Sequence, residues 1–135
     1  LKHLLPAALI CLAATAQAKD AYPPVHLLLQ STTSVIGEPL TYPEGTPQIT
    51  MAIVTMQPGQ KTGLHKHDAP LAAYILEGEI TVDYGAAGTR TYRKGDALIE
   101  AFNSPHSGVN SGAGIVRILA VFVGATDVPN TEPLN

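Results

Sequence analysis

The chain has 135 residues, a formal net charge of −3, and 14% charged against 45% hydrophobic side chains. It carries no basic run or patch, which argues against a nucleic-acid backbone as partner. Cys11 is the only cysteine, so no disulfide framework forms within the chain.

The first eighteen residues do not read as part of a fold. Lys2 and His3 open an apolar stretch, "LLPAALICLAATA", which is too short to span a bilayer. "AQA" at 16–18 follows, then the polar pair Lys19-Asp20. This is the pattern of a cleaved secretory signal peptide. It implies export to the periplasm or the medium and a mature domain of residues 19–135 without a membrane segment. Ile10, bulky and directly before Cys11, speaks against a lipid anchor.

Beyond the leader no helical stripe is present. Short apolar or alternating runs, cut by Gly, Pro, Asn and Asp, predict strands at 25–29, 48–57, 71–77, 79–84, 89–93, 97–102 and 115–123. "IVRILAVFV" is rich in β-branched residues, as a buried strand requires. "LEGE" and "YGAAGT" read as hairpin turns with glycine available for positive φ. So many short strands in one mature domain give an all-β sandwich or small barrel. Residues 19–24 and 126–135, Pro-rich or polar, are expected at the surface.

The chemistry concentrates at "LHKHDAPL". Residues i and i+2 of a strand face one side, about 6.5–7 Å apart at Cα. His65 and His67 can therefore aim into one cavity and share a metal at about 2.0–2.1 Å per nitrogen. Alone, the pair with Lys66 between favours a solvated loop. The context adds a turn at Pro58-Gly59 ahead of it and Gly78 after the next strand. Downstream, "KGDALIEAFNSPHSGVN" places a turn at Gly95, then Pro105-His106 and Asn110.

In that order the residues resemble the motifs of the cupin superfamily, over roughly residues 35–124. Gly59, His65, His67, position 71 and Gly78 have the spacing of the first cupin motif, with Leu71 where the motif has glutamate. Gly95, Ala101, Asn103, His106 and Asn110 have the spacing of the second, with its Pro-x-Gly missing. "YILEGEITV" and "YRKGDALIE" are similar to the flanking phrases of small bacterial cupins. The resemblance implies a double-stranded β-helix, a jelly-roll barrel, with His65, His67 and His106 as ligands of one divalent transition metal, drawn from Fe, Mn, Ni, Cu or Zn. It also implies a homodimer formed through barrel edge strands.

Leu71 cannot ligate, and three neutral imidazoles leave the bound ion's charge uncompensated. More positions are then open for substrate and O₂, and anionic bidentate ligands such as enolates, carboxylates or catecholates are favoured. The rival reading is a cupin that lost a ligand and became a binding module. Among other groups, Asp68 has the opposite parity to His67 and is expected to face out. Glu77 and Glu79 flank a turn, and His26 reads as a surface or rim histidine. Glu100 is a candidate acid/base or fourth ligand, provided no bulge separates it from His106. Parity places Leu71, Ala73 and Ile75 in the cavity wall and Ala72 and Tyr74 on the other side; Met51, Ile53 or Met56 can add to the wall. Three functions stay open: a dioxygenase-like oxidoreductase on a small enolisable or phenolic compound, a small-molecule or metal-binding module, and a metal-dependent lyase or isomerase.

Overall fold

The computed structural model describes residues 23–135. The leader at 1–18 and Cys11 lie outside the described residues. Among the described residues, nine strands and one 3-10 turn, Gly85–Ala87, make up the regular structure: β1 Pro47–Met56, β2 His65–Lys66, β3 Leu71–Glu77, β4 Glu79–Asp83, β5 Thr89–Arg93, β6 Ala97–Ile99, β7 Ser107–Asn110, β8 Val116–Ala125 and β9 Glu132–Pro133. Among the described residues no helix is long and apolar enough to cross a membrane.

The strands form two facing antiparallel sheets, as a jelly roll requires. One has the order β1-β8-β3-β6, the other β5-β4-β7. The short pair β2-β9 continues the second sheet, because isolated bridges join Lys61 to Val109 and His65 to His106. Alternation along each strand sets the core. Leu71, Ala73 and Ile75 of β3 point inward, as do Ile80 and Val82 of β4. They meet Met56, Leu98, Val116, Ala120 and Phe122 between the sheets. Ala72 and Tyr74 face the other side of the larger sheet.

Four expectations are corrected. Residues 25–29 form no strand; they pair with nothing among the described residues, and Val25, Leu27, Leu28 and Leu29 stay exposed. "LEGE" is not a hairpin. β3 and β4 belong to different sheets, so Gly78 (φ +75°) turns a corner between them, held by the Lys94 N–H donating to its carbonyl. Met51 and Ile53 point away from the cavity and are exposed, whereas Met56 lines it. The strand expected at 97–102 ends at Ile99, because the Phe102 N–H turns to Glu38. "YGAAGT" does close the β4–β5 hairpin.

Candidate metal centre

The site begins with a backbone pairing. The His65 N–H donates to the His106 carbonyl (3.0 Å) and the His106 N–H returns to the His65 carbonyl (2.9 Å). Two residues in such a reciprocal pair stand directly opposite with side chains on one face. Their rings accordingly lie 4.4 Å apart at the centroids. His67 lies two residues along from His65, its N–H bound to the Phe102 carbonyl (2.8 Å). Its ring is 5.0 Å from that of His65 and 5.1 Å from that of His106.

Each imidazole is oriented by its Nδ1. That of His65 contacts the Gly63 carbonyl at 3.0 Å, that of His67 the Asn130 carbonyl at 2.8 Å, and that of His106 the Ser104 carbonyl at 2.9 Å. A carbonyl only accepts, so all three Nδ1 atoms carry the proton and all three Nε2 atoms offer a lone pair. Fixing the tautomer from behind in this way is what metal-ligating histidines need. The ligand atoms of the three all lie within 4.8 Å of one another. Nitrogens sharing one ion at about 2.1 Å stand at most about 4.2 Å apart, so small ring rotations complete the fit. Among the described residues, His106 Nε2 is the buried side-chain polar atom without a hydrogen-bond partner. An orphaned lone pair in an otherwise satisfied interior is what a ligand awaiting its ion looks like.

Burial pushes the His65 and His106 imidazoles below their ordinary value and lowers His67 to about 4, against the opposing effect of the backbone hydrogen bonds. The three are therefore neutral near pH 7, the form that binds a metal. They could hold one divalent transition ion.

Their nitrogens open on a cavity of about 270 Å³ between the sheets. Leu71, Ala73 and Ile75 line it, with Met56, Leu98 and Phe122, and Phe122 packs edge-on against His67 at 5.5 Å. Glu100 is the single carboxyl in its lining among the described residues, and it is only 8% exposed. Its Oε1 accepts from the Ala101 N–H at 2.8 Å, and Tyr84, itself hydrogen-bonded to Tyr92 at 3.0 Å, bonds its side chain. Burial raises its pKa, which those two hydrogen bonds oppose. It is not in the mutually close ligand group, so its placement does not make it a fourth ligand. Asp68 is ion-paired with Lys66 at 3.1 Å and also stands outside that group. Glu79 pairs with Arg93, Glu77 is exposed, and so is His26.

The family model of the cupin domain matches residues 52–122, just over half of the chain. The chain belongs to the cupin family. No curated protein matches it. Among solved structures it is similar to a Lactobacillus farciminis oxalate decarboxylase formate complex, with 26% identity and TM-score 0.55 over 64% of this chain and 26% of that one. It is similar also to the Bacillus subtilis oxalate decarboxylase characterised for its Mn(II) centres, with 28% identity and TM-score 0.52 over 64% of this chain and 24% of that one. An oxalate oxidase structure matches at 21% identity and TM-score 0.55, over 64% of this chain and 46% of that one, and supports the fold alone. This cupin thus spans about a quarter of the length of the two decarboxylases.

Two parts of this cupin site have no local signal in the sequence. Residues 126–135, expected as a surface tail, fold back as β9 onto β2. There Asn130 supplies the carbonyl behind His67, Thr131 Oγ1 lies 3.2 Å from the same Nδ1, and Glu132 pairs with Lys66 at 2.9 Å. Glu38 anchors the loop that carries His106. Its Oε1 accepts from Ser104 Oγ (2.8 Å), and its Oε2 accepts from Ser34 Oγ (2.8 Å) and the Phe102 N–H (3.1 Å). The E-P spacing of Glu132-Pro133 and an isolated glutamate far from the motif give no periodic signal. The motif residue Asn110 is structural: buried, it donates to the Met56 and Gly114 carbonyls and accepts from the Gly112 N–H.

Proposed function

We propose that this cupin is a mononuclear-metal oxidoreductase of dioxygenase type acting on a small enolisable or phenolic compound. The observation that carries the reading is the set of three back-anchored neutral imidazoles whose Nε2 atoms face an apolar cavity holding one carboxyl. A divalent transition ion bound there supplies Lewis acidity and, if redox-active, electrons to O₂. Manganese is supported by the Mn(II) centres named for the Bacillus subtilis relative.

The chain's own residues do four things. The imidazoles bring no negative charge, so an anionic bidentate substrate is favoured. Leu71, Ile75 and Phe122 exclude water, and the small Ala73 leaves room for a flat ligand. Glu100, with Oε1 already engaged by the Ala101 N–H, accepts the enol or phenol proton on its remaining oxygen. Tyr84 and Tyr92 hold that carboxyl in place. Export to the periplasm or medium belongs to the same proposal and rests on the sequence of residues 1–18.

Leu71, in the place of the motif glutamate, favours a second reading, a binding module without turnover. O₂ uptake separates the two. The protein loaded with Mn(II) or Fe(II) is offered a panel of β-diketones, catechols and α-hydroxy ketones. The enzyme reading expects metal-dependent uptake with product formation, absent in His106→Ala and reduced in Glu100→Gln at unchanged metal content. Saturable binding of panel compounds without uptake supports the module instead.

A further inference from the structure

The three imidazoles are not anchored alike. The carbonyls behind His65 and His106 belong to Gly63 and Ser104, each two residues from the ring it orients, so they travel with it. The carbonyl behind His67 belongs to Asn130, 63 positions away in the sequence. Thr131 Oγ1, the other atom within reach of that Nδ1 among the described residues, comes from the same segment. His67 therefore keeps its aim only while a remote stretch of chain stays seated.

That stretch is lightly held. It leaves the turn where the Val128 N–H donates to the Ala125 carbonyl (3.1 Å), crosses to β2 and pairs there as β9, two residues long. Pro133 has no N–H to give and stands opposite His65, whose own N–H goes to His106. One position further, the Leu134 N–H donates to the Leu64 carbonyl at 3.0 Å. On the outer side Glu132 meets Lys66 at 2.9 Å, with side chains 45% and 30% exposed. Thr131 and Pro133 are exposed and line the cavity, so the stretch also forms part of its rim. With few bonds and little burial it opens locally at a small fraction of the cost of unfolding the barrel. An exposed ion pair adds little to a whole domain, but it is a sizeable share of what seats so short a strand.

We propose that residues 130–134 are a strap that positions His67, with the Lys66–Glu132 pair as its latch, and that a bound ion leaves from the strap-open form. The inference rests on the three-histidine metal reading. When the strap lifts, the His67 Nδ1–H loses the Asn130 and Thr131 oxygens together, and the ring is free to turn its Nε2 away. His65 and His106 stay joined by their reciprocal backbone bonds, so two ligands remain in place of three. Lifting also withdraws Thr131 and Pro133 from the rim and widens the way out. Asn130 and Glu132 are positioning residues; they act through His67.

Release of Zn(II) to excess chromogenic chelator and amide exchange of residues 130–134 test this on the full chain. Both are read in the parent and in Glu132→Lys, Leu134→Pro and Asp127→Lys. Glu132→Lys sets two cations against each other across β2 and β9, and Leu134→Pro removes the N–H that meets Leu64 without altering charge. Asp127→Lys makes the same change of charge on the exposed turn ahead of the strap and controls for the field at the ion. The expected result is that the first two variants speed strap exchange and Zn(II) release together, each by about threefold to tenfold. Asp127→Lys changes neither, and the urea midpoint of the metal-free variants stays at the parent's. Release that stays at the parent's rate in a variant whose strap amides exchange faster overturns the proposal. So does an equal acceleration of release by Asp127→Lys. A parent that takes up no Zn(II) overturns the metal centre itself, and the strap's role with it.

Discussion

Placing the motif carboxylate back at position 71 is the sharpest perturbation of this site. Leu71 is 7% exposed and clusters with Ala120 and Phe122, and Phe122 in turn packs on the His67 ring. In the metal-free protein, Leu71→Glu loses the burial of a leucine, about 2 kcal/mol. It also buries a carboxyl among apolar neighbours, at a further cost of about 2 kcal/mol. Leu71→Gln loses nearly the same, because its amide is equally unpaired there. The two variants part when metal is added. The introduced carboxylate becomes a ligand, and a hundredfold gain in affinity corresponds to about 2.7 kcal/mol. Urea unfolding in chelator and in saturating Mn(II) reads both quantities. The expectation is about 4 kcal/mol of loss for both variants in chelator. Mn(II) is expected to restore the Leu71→Glu variant by about 3 kcal/mol more than the Leu71→Gln variant. Equal metal responses of the two would refute the placement of Leu71 beside the ligand set.

Glu38→Ala frees the 102–104 loop that aims His106, and is expected to weaken metal binding tenfold to a hundredfold, with a smaller loss in Glu38→Gln, read by competition with a chromogenic chelator. In metal-free protein, the unfolded chain protonates His67 near its ordinary value of 6.5, whereas the fold withholds the proton until about 4. The unfolded state binds more protons in that window, so stability falls as pH drops from 6.5 towards 4. His67 alone accounts for about 2 kcal/mol between about pH 7 and pH 5, measurable as a shift in urea midpoint. Gly78→Ala puts a Cβ 2.4 Å from the Ile115 carbonyl oxygen at φ +75°, and is expected to cost about 2 kcal/mol or more in thermal or urea unfolding.

The sequence carried the parts of this molecule that are periodic or locally spaced. The alternation of "LAAYILE" showed which side of β3 faces in, and it does: Leu71, Ala73 and Ile75 are buried while Ala72 and Tyr74 are not. Strand parity puts His65 and His67 on one side of their strand, whereas His106 joins them only through the likeness of its motif to the cupin pattern. What stayed hidden depends on tertiary contact. Nothing local tells that "LEGE" joins two sheets instead of two paired strands, because the glycine and the turn are the same in both cases. Glu38 reaches Ser104 across 66 positions of sequence and Asn130 reaches His67 across 63. Residues 25–29 have a strand's composition but no partner strand among the described residues, and composition cannot supply one. Glu100 was placed by parity subject to a bulge; burial and the Tyr84 hydrogen bond put it in the cavity wall without making it a ligand.

The proposed function requires that His65, His67 and His106 together hold one metal ion. Metal content by mass spectrometry, on protein purified without chelator and beside a folded His67→Ala variant, tests it most directly. Near one equivalent of a divalent transition metal is expected in the parent and little in the variant. A folded parent that takes up no Mn(II), Fe(II), Ni(II) or Zn(II) even after reloading would contradict it.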